Sequence, residues 1–192
     1  MIEPLEPKHI RMFHDMAIKE FGGLPGENEP NLIDSLAYKP FQEYSFGGET
    51  IELYPGLFKK AAVYMHTLAT NQYFVDGNKR TAYITAASFL ELNGYVLCVT
   101  DWDLYFATKL IANKKWDVER IAEWLEANSI PESKYVEEMD IKKAPLIELY
   151  EEYIAMAKEL ELREILTEEE IKELQQLQER LDAIKRSDED AQ

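Results

Sequence analysis

The sequence predicts an all-α fold, a helical bundle that carries a short β-like flap and is followed by a C-terminal two-helix extension. Apolar residues recur at helical spacing in two segments near the middle of the chain and again near its end. Strand-like alternation is confined to one short segment. With 192 residues, of which 46% are hydrophobic, the chain can bury one domain core and hold an appended element.

Residues 39–55 are predicted to form the flap. Apolar and polar residues alternate from Ile51 to Tyr54, as they do in a short edge strand, and Gly47-Gly48 supplies a turn just before it. An ordinary surface loop explains the same residues equally well. The sequence therefore leaves two interpretations of this segment open.

Two central helices are predicted from apolar periodicity. The first covers residues 57–71, in which apolar side chains three and four positions apart mark one buried face. The second covers residues 81–92, which are apolar almost all round. We therefore expect the second helix to run through the centre of the domain.

The segment between these helices combines features of a phosphate-binding loop. Gly77 permits a positive φ, and the amides of Asn78 to Arg80 are the unpaired donors of a first helical turn. Lys79 and Arg80 add positive charge, and the Asp76 carboxylate could hold a magnesium ion that bridges phosphate oxygens. Neither a Walker loop nor a Rossmann glycine fingerprint is present, so a capped helix start with solvated cations is the alternative.

A domain boundary is predicted at Pro131. The helix predicted over residues 118–125 should end before this proline, which gives a first domain over residues 1–130. Residues 131–192 form an acidic extension. From residue 132 onward there are 19 acidic and 9 basic side chains, a net charge of −10, which leaves −6 of the total of −16 for the first 131 residues.

Two helices are predicted in the extension. The first runs from about Pro145 to about Ile165, and the second begins with a capping box at Thr167. The second helix carries a heptad-like apolar stripe, at Ile171, Leu174, Leu177, Leu181 and Ile184. A structural brace, a homodimer through these helices and a built-in regulator are three interpretations of it.

Composition excludes several classes of protein. No apolar run is long enough to span a membrane, and no signal peptide is predicted, so we expect a cytoplasmic protein. A net charge of −16 argues against broad nucleic-acid binding, because phosphate contacts need a basic surface. His9, His14 and Cys98 do not have the spacing of metal ligands, so no zinc site is predicted.

Three sequence blocks in the same order resemble the Fic/Doc family, and within it the Doc (death-on-curing) toxins. The family's core motif is His-x-Phe-x-Asp-(Ala or Gly)-Asn-Lys-Arg-Thr-Ala, and this chain matches it at Phe74, Asp76, Gly77, Asn78, Lys79, Arg80, Thr81 and Ala82. The second block is His14-Asp15 followed by residues 21–26, and the third is Phe89-Leu90 with Asn93-Gly94. The resemblance covers roughly residues 1 to 128.

The resemblance implies a kinase that uses ATP and Mg. Doc proteins pass the γ-phosphate of ATP to a threonine of elongation factor Tu, a translation factor, and are neutralised by an antitoxin. By resemblance, Asp76 would help to hold magnesium. Asn78 and the loop amides would cradle phosphate, Gly77 would let the backbone approach it closely, and Lys79 and Arg80 would neutralise developing charge. In relatives the flap aligns the target peptide by strand addition.

One position departs from the motif. The family's catalytic histidine corresponds to Gln72, and glutamine cannot accept a proton near neutral pH. The chain is then a slow enzyme, an inactive binding module, or a toxic protein whose histidine was replaced so that it could be produced. AMP transfer is a weaker alternative, because Lys79 and Tyr83 replace a glycine and an arginine of the adenylyl transferases.

Three further residues have expected positions. Phe74 is expected to be a buried anchor that keeps the loop rigid. His14 could come near the site in three dimensions, although a structural role is the more common one for a histidine on a helix. His66 lies six positions before Gln72 on the same predicted helix, on another face, so we expect it to be packed or partly exposed.

Overall fold

The computed structural model describes residues 2–138, which lie within one compact unit. The elements in this part of the chain are α1 (Pro7–Phe21), α2 (Pro30–Tyr38), a 3₁₀ turn (Lys39–Phe41), β1 (Glu43–Phe46), β2 (Glu49–Glu52), α3 (Leu57–Thr70), α4 (Asn78–Leu92), β3 (Tyr95–Leu97), α5 (Asp101–Ala112), α6 (Val118–Ala127), β4 (Ser129–Pro131) and α7 (Glu132–Glu138). The fold is helical, as predicted. The predicted helices from Pro145 to Ile165 and from Thr167 onward lie outside the described residues.

The core is built around α3, which packs against α4, α5 and α6. The sequence predicted a single buried face for this helix, yet eight of its residues from Ala61 to Ala69 are buried, and only His66 in that stretch is not. Small side chains at Ala61 and Ala62 allow neighbouring helices to approach from several sides. The more central of the two helices is therefore α3, while α4 buries a stripe that includes Phe89 and Leu90.

The predicted flap is present as an antiparallel hairpin. β1 pairs with β2 from Glu43 opposite Glu52 to Phe46 opposite Glu49. Gly47 and Gly48 form the turn with φ angles of 61° and 86°, which glycine adopts without steric cost. β2 begins at Glu49, two residues before the strand that the sequence predicted from Ile51 to Tyr54. Nearly all residues of the two strands are exposed, so the hairpin projects from the core.

A buried lysine ties the hairpin to the core. The Lys60 side chain on α3 is 1% exposed, and its Nζ donates to Glu52 Oε2 at 2.9 Å, to the Tyr54 carbonyl at 2.8 Å and to the Pro40 carbonyl at 3.3 Å. Its charge also lies 5.0 Å from the centre of the Phe41 ring. Buried ammonium groups need such partners, and these come from both ends of the flap segment.

A second, smaller strand pair closes the described region. The predicted helix over residues 118–125 is confirmed and ends at Ala127. Pro131 then lies in β4, opposite Tyr95 of β3, and the Glu132 amide donates to the Gly94 carbonyl at 2.9 Å. The domain division at residue 131 stays a prediction. Among the described residues, no helix is long and apolar enough to cross a membrane.

Candidate phosphate-binding site

The loop between α3 and α4 is shaped around Gly77. This residue precedes the first turn of α4 with φ 75° and ψ 7°, a left-handed conformation that glycine adopts readily. Its amide donates to Asp76 Oδ1 at 2.6 Å, and the amide of Leu24 donates to Asp76 Oδ2 at 3.3 Å. These two amides hold the pKa of the Asp76 carboxyl below its ordinary value, so the group is ionised at neutral pH.

Asn78 locks the loop from within. Its Oδ1 accepts from the Phe74 amide at 2.9 Å, and its Nδ2 donates to the Phe74 carbonyl at 2.8 Å. Phe74 itself is 1% exposed, in agreement with its expected role as a buried anchor. Both polar atoms of the Asn78 side chain are therefore hydrogen-bonded within the loop. The group that this residue can offer to a phosphate is its backbone amide.

His14 supports the loop from beneath. Its Nδ1 lies 3.3 Å from Thr81 Oγ1, and that hydroxyl donates to the Gly77 carbonyl at 3.0 Å. Which of His14 Nδ1 and the Thr81 hydroxyl donates depends on the histidine tautomer. His14 is 3% exposed, and burial lowers its pKa, so the imidazole is neutral at neutral pH. His14 thus occupies a structural position next to the site.

The segment after α1 forms the wall of the loop. The Val75 amide donates to the Gly26 carbonyl at 2.9 Å, and the Asn28 amide donates to the Tyr73 carbonyl at 2.9 Å. A Cβ atom at Gly23 would lie 2.6 Å from Asp76 Oδ2. Glycine is therefore required at Gly23 and favoured at Gly26, where a Cβ would lie 3.3 Å from Val75 Cγ2, because the backbone there runs directly against the loop.

The loop opens into a cleft of about 540 Å³. All six residues predicted for the site line it, namely Gln72, Asp76, Gly77, Asn78, Lys79 and Arg80. Ala112 and Asn113 at the end of α5 also line it, which the sequence did not predict because these residues carry no motif. The structure thus brings the predicted residues together, while the roles assigned to them remain predictions.

The two cations of the loop differ in freedom. Arg80 Nη1 donates to the Gly22 carbonyl at 2.8 Å, and its Nη2 lies 3.8 Å from Asp76 Oδ1, so this side chain is held in place. Lys79 is exposed and makes no ion pair within residues 2–138. Burial lowers the pKa of Lys109 on α5, and the charge of Lys79 lowers it further.

The arrangement can accept an anion at the start of α4. The amides of Asn78, Lys79 and Arg80 belong to a first helical turn and therefore lack intrahelical acceptors. Together with the helix dipole and Lys79 they favour a phosphate group. Among the described residues no cluster of three metal-ligating side chains exists. Magnesium does not need one, since one carboxylate, phosphate oxygens and water suffice, and Asp76 supplies that carboxylate.

Gln72 is exposed at the edge of the cleft. Its backbone carbonyl accepts a hydrogen bond from Asn28 Nδ2 at 2.7 Å, and this bond fixes the backbone. The Gln72 side chain makes no hydrogen bond within the described part of the chain. No histidine takes over this position. His14 is buried beneath the loop, and His66 borders a different cavity.

Comparisons with known proteins find similar sequences. The Fic/DOC family model matches residues 4–90. The chain is 37% identical over 105 residues to a protein named Toxin Doc from Mycolicibacterium smegmatis. The aligned residues cover 53% of this chain and 77% of that protein. It is 31% identical over 90 residues to a protein named Protein kinase doc from Escherichia phage P1. Here the aligned residues cover 47% of this chain and 68% of that protein.

Proposed function

Because this chain belongs to the Fic/DOC family, we propose that it is a Doc-like toxin that phosphorylates a translation factor with Mg-ATP. Elongation factor Tu is the expected target, and an antitoxin protein is the expected partner. One observation carries the proposal: the amides at the start of α4, Lys79 and the Asp76 carboxylate all line one cleft. The name of one relative, Protein kinase doc, supports phosphoryl transfer as the reaction.

Each loop residue has a role in this proposal. Mg-ATP would supply the phosphoryl group. The amides of Asn78 to Arg80 would bind phosphate oxygens, and Lys79 would neutralise the charge that develops during transfer. Asp76 would hold magnesium, for which its lowered pKa is suitable. Arg80 is anchored by the Gly22 carbonyl, so it would present its charge at a fixed position.

Gln72 limits the rate that we expect. A general base contributes about 10²- to 10⁴-fold, whereas positioning and charge stabilisation act separately. In a loose phosphoryl transfer the nucleophile keeps its proton until late, so the loss of a base costs less than in acyl transfer. We therefore expect slow transfer from a site that is otherwise complete.

A second candidate function is a binding module without catalysis. Two observations favour it: an exposed glutamine, Gln72, stands at the position of the family histidine, and no histidine lines the cleft. Such a protein would bind nucleotide, antitoxin or translation factor and leave it unmodified. AMP transfer is less well supported, since Lys79 and Tyr83 stand where adenylyl transferases carry glycine and arginine.

Intact-mass spectrometry of elongation factor Tu distinguishes these functions. The factor is incubated with Mg-ATP and either this protein, its Gln72→His variant or its Asp76→Asn variant. A gain of one phosphate with the protein as it stands, lost in Asp76→Asn, supports a slow kinase. Modification by Gln72→His alone indicates the binding module, and a gain of AMP mass indicates adenylyl transfer. Absence of modification by every variant rejects the kinase function toward this target.

A further inference from the structure

Asn28 spans the first part of the loop between α3 and α4. Its side-chain Nδ2 donates to the Gln72 carbonyl at 2.7 Å and to the Phe74 carbonyl at 3.2 Å, and its amide donates to the Tyr73 carbonyl at 2.9 Å. Because both side-chain partners are carbonyl oxygens, the group that faces them must be the NH₂ of the carboxamide. One residue therefore contacts three successive carbonyl groups at the entrance to the loop.

The two halves of the loop are held by different groups. From Phe74 onward, the backbone is fixed by the Asn78 side chain and by the bond between the Gly77 amide and Asp76. Gln72 lies before these bonds, and within the described residues its side chain makes no hydrogen bond. The backbone therefore sets where this side chain lies, and the carbonyl of that backbone is held by the Asn28 donor.

Asn28 is itself held in place from α1. The residue before it, Glu27, accepts from Arg11 Nε at 2.7 Å and from Arg11 Nη2 at 3.2 Å, which is a bidentate pair with a fixed geometry. Glu27 also forms an isolated β-bridge with Phe74. Asn28 therefore donates from a segment that is anchored to α1 as well as to the loop.

We propose that Asn28 is a positioning residue that holds the side chain at position 72 at the edge of the cleft and thereby sets the rate of phosphoryl transfer. This inference rests on the proposed function, because the family histidine corresponds to position 72. A misplacement of about 1 Å in a reacting group costs about 10²-fold in rate. Loss of the Asn28 donor should therefore lower kcat, while the amides at the start of α4 still bind phosphate.

Phosphoryl transfer is measured in the Gln72→His background, in which a general base is restored. Elongation factor Tu is incubated with Mg-ATP, and its gain of phosphate is followed over time by intact-mass spectrometry. We expect Asn28→Ala in this background to lower kcat about 10²-fold and to leave the dissociation constant of Mg-ATP unchanged. Asn28→Asp keeps the shape of the side chain but has no donor at neutral pH, so it should lower kcat at least as much.

Asn128→Ala is the matched control. The Asn128 side chain also donates from Nδ2 to a backbone carbonyl, that of Trp124 at 2.8 Å, but it lies at the end of α6 and does not line the cleft. This variant should change neither kcat nor ATP binding. An equal loss of kcat in the control overturns the inference. So does a loss of ATP binding that accompanies the loss of kcat in Asn28→Ala, because a general defect of the loop then explains both.

A second measurement does not depend on activity. In the chain with Gln72 in place, ¹⁵N relaxation gives the order parameters of the Gln72 and Gly77 amides. We expect Asn28→Ala to lower the Gln72 order parameter from about 0.85 to below about 0.6 and to leave that of Gly77 near 0.85. An unchanged Gln72 order parameter overturns the inference, whatever the kinetics show.

The two measurements separate this inference from the proposed function. If Gln72→His transfers no phosphate, the kinase function toward this factor is rejected, and the effect of Asn28 on its rate is rejected with it. A lowered Gln72 order parameter then still supports Asn28 as the residue that positions Gln72. If transfer occurs and Asn28→Ala leaves kcat unchanged, the kinase function stands and the role of Asn28 is overturned.

Discussion

The imidazole ring of His14 is stacked on the ring of Phe74, with centroids 3.8 Å apart and planes inclined by 8°. The two residues are both buried, and they join α1 to the loop two positions before Asp76. With the hydrogen bond between His14 and Thr81, this contact supports the loop on both sides of Gly77. The loop between α3 and α4 is therefore held by the first helix as well as by the helices that it connects.

His14→Ala should destabilise the protein by about 2–3 kcal/mol, because it removes a buried ring and its hydrogen bond with the Thr81 hydroxyl. Urea unfolding measures the change. Asp15→Asn, at the exposed neighbouring position on α1, is the control and should stay within about 0.5 kcal/mol. Equal losses in the two variants would mean that α1 tolerates no change at this point and that the ring contact is not the cause.

Stability should fall as the pH drops through about 6.5. Burial lowers the pKa of His14 despite the nearby carboxylates of Asp15, Glu27 and Asp76, and Arg80 lowers it further. The pKa of His66 is lowered as well. In each case the unfolded state takes up the proton first, so stability is highest above pH 6.5 and declines until the folded-state pKa is reached.

Unfolding free energies at pH 7.5 and 5.5 measure this decline. A His14→Gln variant should show a smaller difference between the two pH values, and a His14→Gln, His66→Gln double variant should show a smaller one still. A pH difference that is unchanged in the double variant would assign the decline to other groups. At more acid pH the lowered pKa of Asp76 adds a separate loss as its carboxyl is protonated.

Gly23→Ala should disturb the loop at a distance in sequence. The new Cβ would lie 2.6 Å from Asp76 Oδ2, and the φ of 124° is itself unfavourable for alanine. We expect a loss of about 2–3 kcal/mol and a displaced Gly77 amide signal. Gly22→Ala is the matched control, because its φ is also positive, at 75°, but nothing lies within 4 Å of the added atom. If both variants move the Gly77 signal equally, the contact with Asp76 is not the reason.

Lys60→Met should release the flap. It removes the donor to Glu52 and to two carbonyl groups while keeping most of the buried volume, so we expect a loss of about 1–3 kcal/mol and faster proteolysis within residues 43–52. Lys59→Met removes a more exposed pair with Glu119 and should cost at most about 1 kcal/mol without faster cleavage. Cleavage that is equally slow in both variants would show that the hairpin does not depend on Lys60.

Several features were predictable because they depend on nearby residues. The positive φ at Gly77, the helix start at Asn78 and the hairpin turn at Gly47-Gly48 follow from local steric preferences. The full burial of α3 was not predictable from periodicity. The burial depends on which helices pack against α3. A lysine at position 60 is expected to face solvent until its buried hydrogen-bond partners are known.

The sequence by itself determined the family, the helical fold and the set of side chains that meet at the loop, since motif residues close in sequence must lie close in space. Only the tertiary structure decided how these side chains are used. It placed His14 against Thr81, 67 positions away, assigned the Asn78 side chain to the loop backbone, and gathered Lys39 and Lys114 around one cavity. Such contacts are set by the packing of whole elements, which local preferences do not encode.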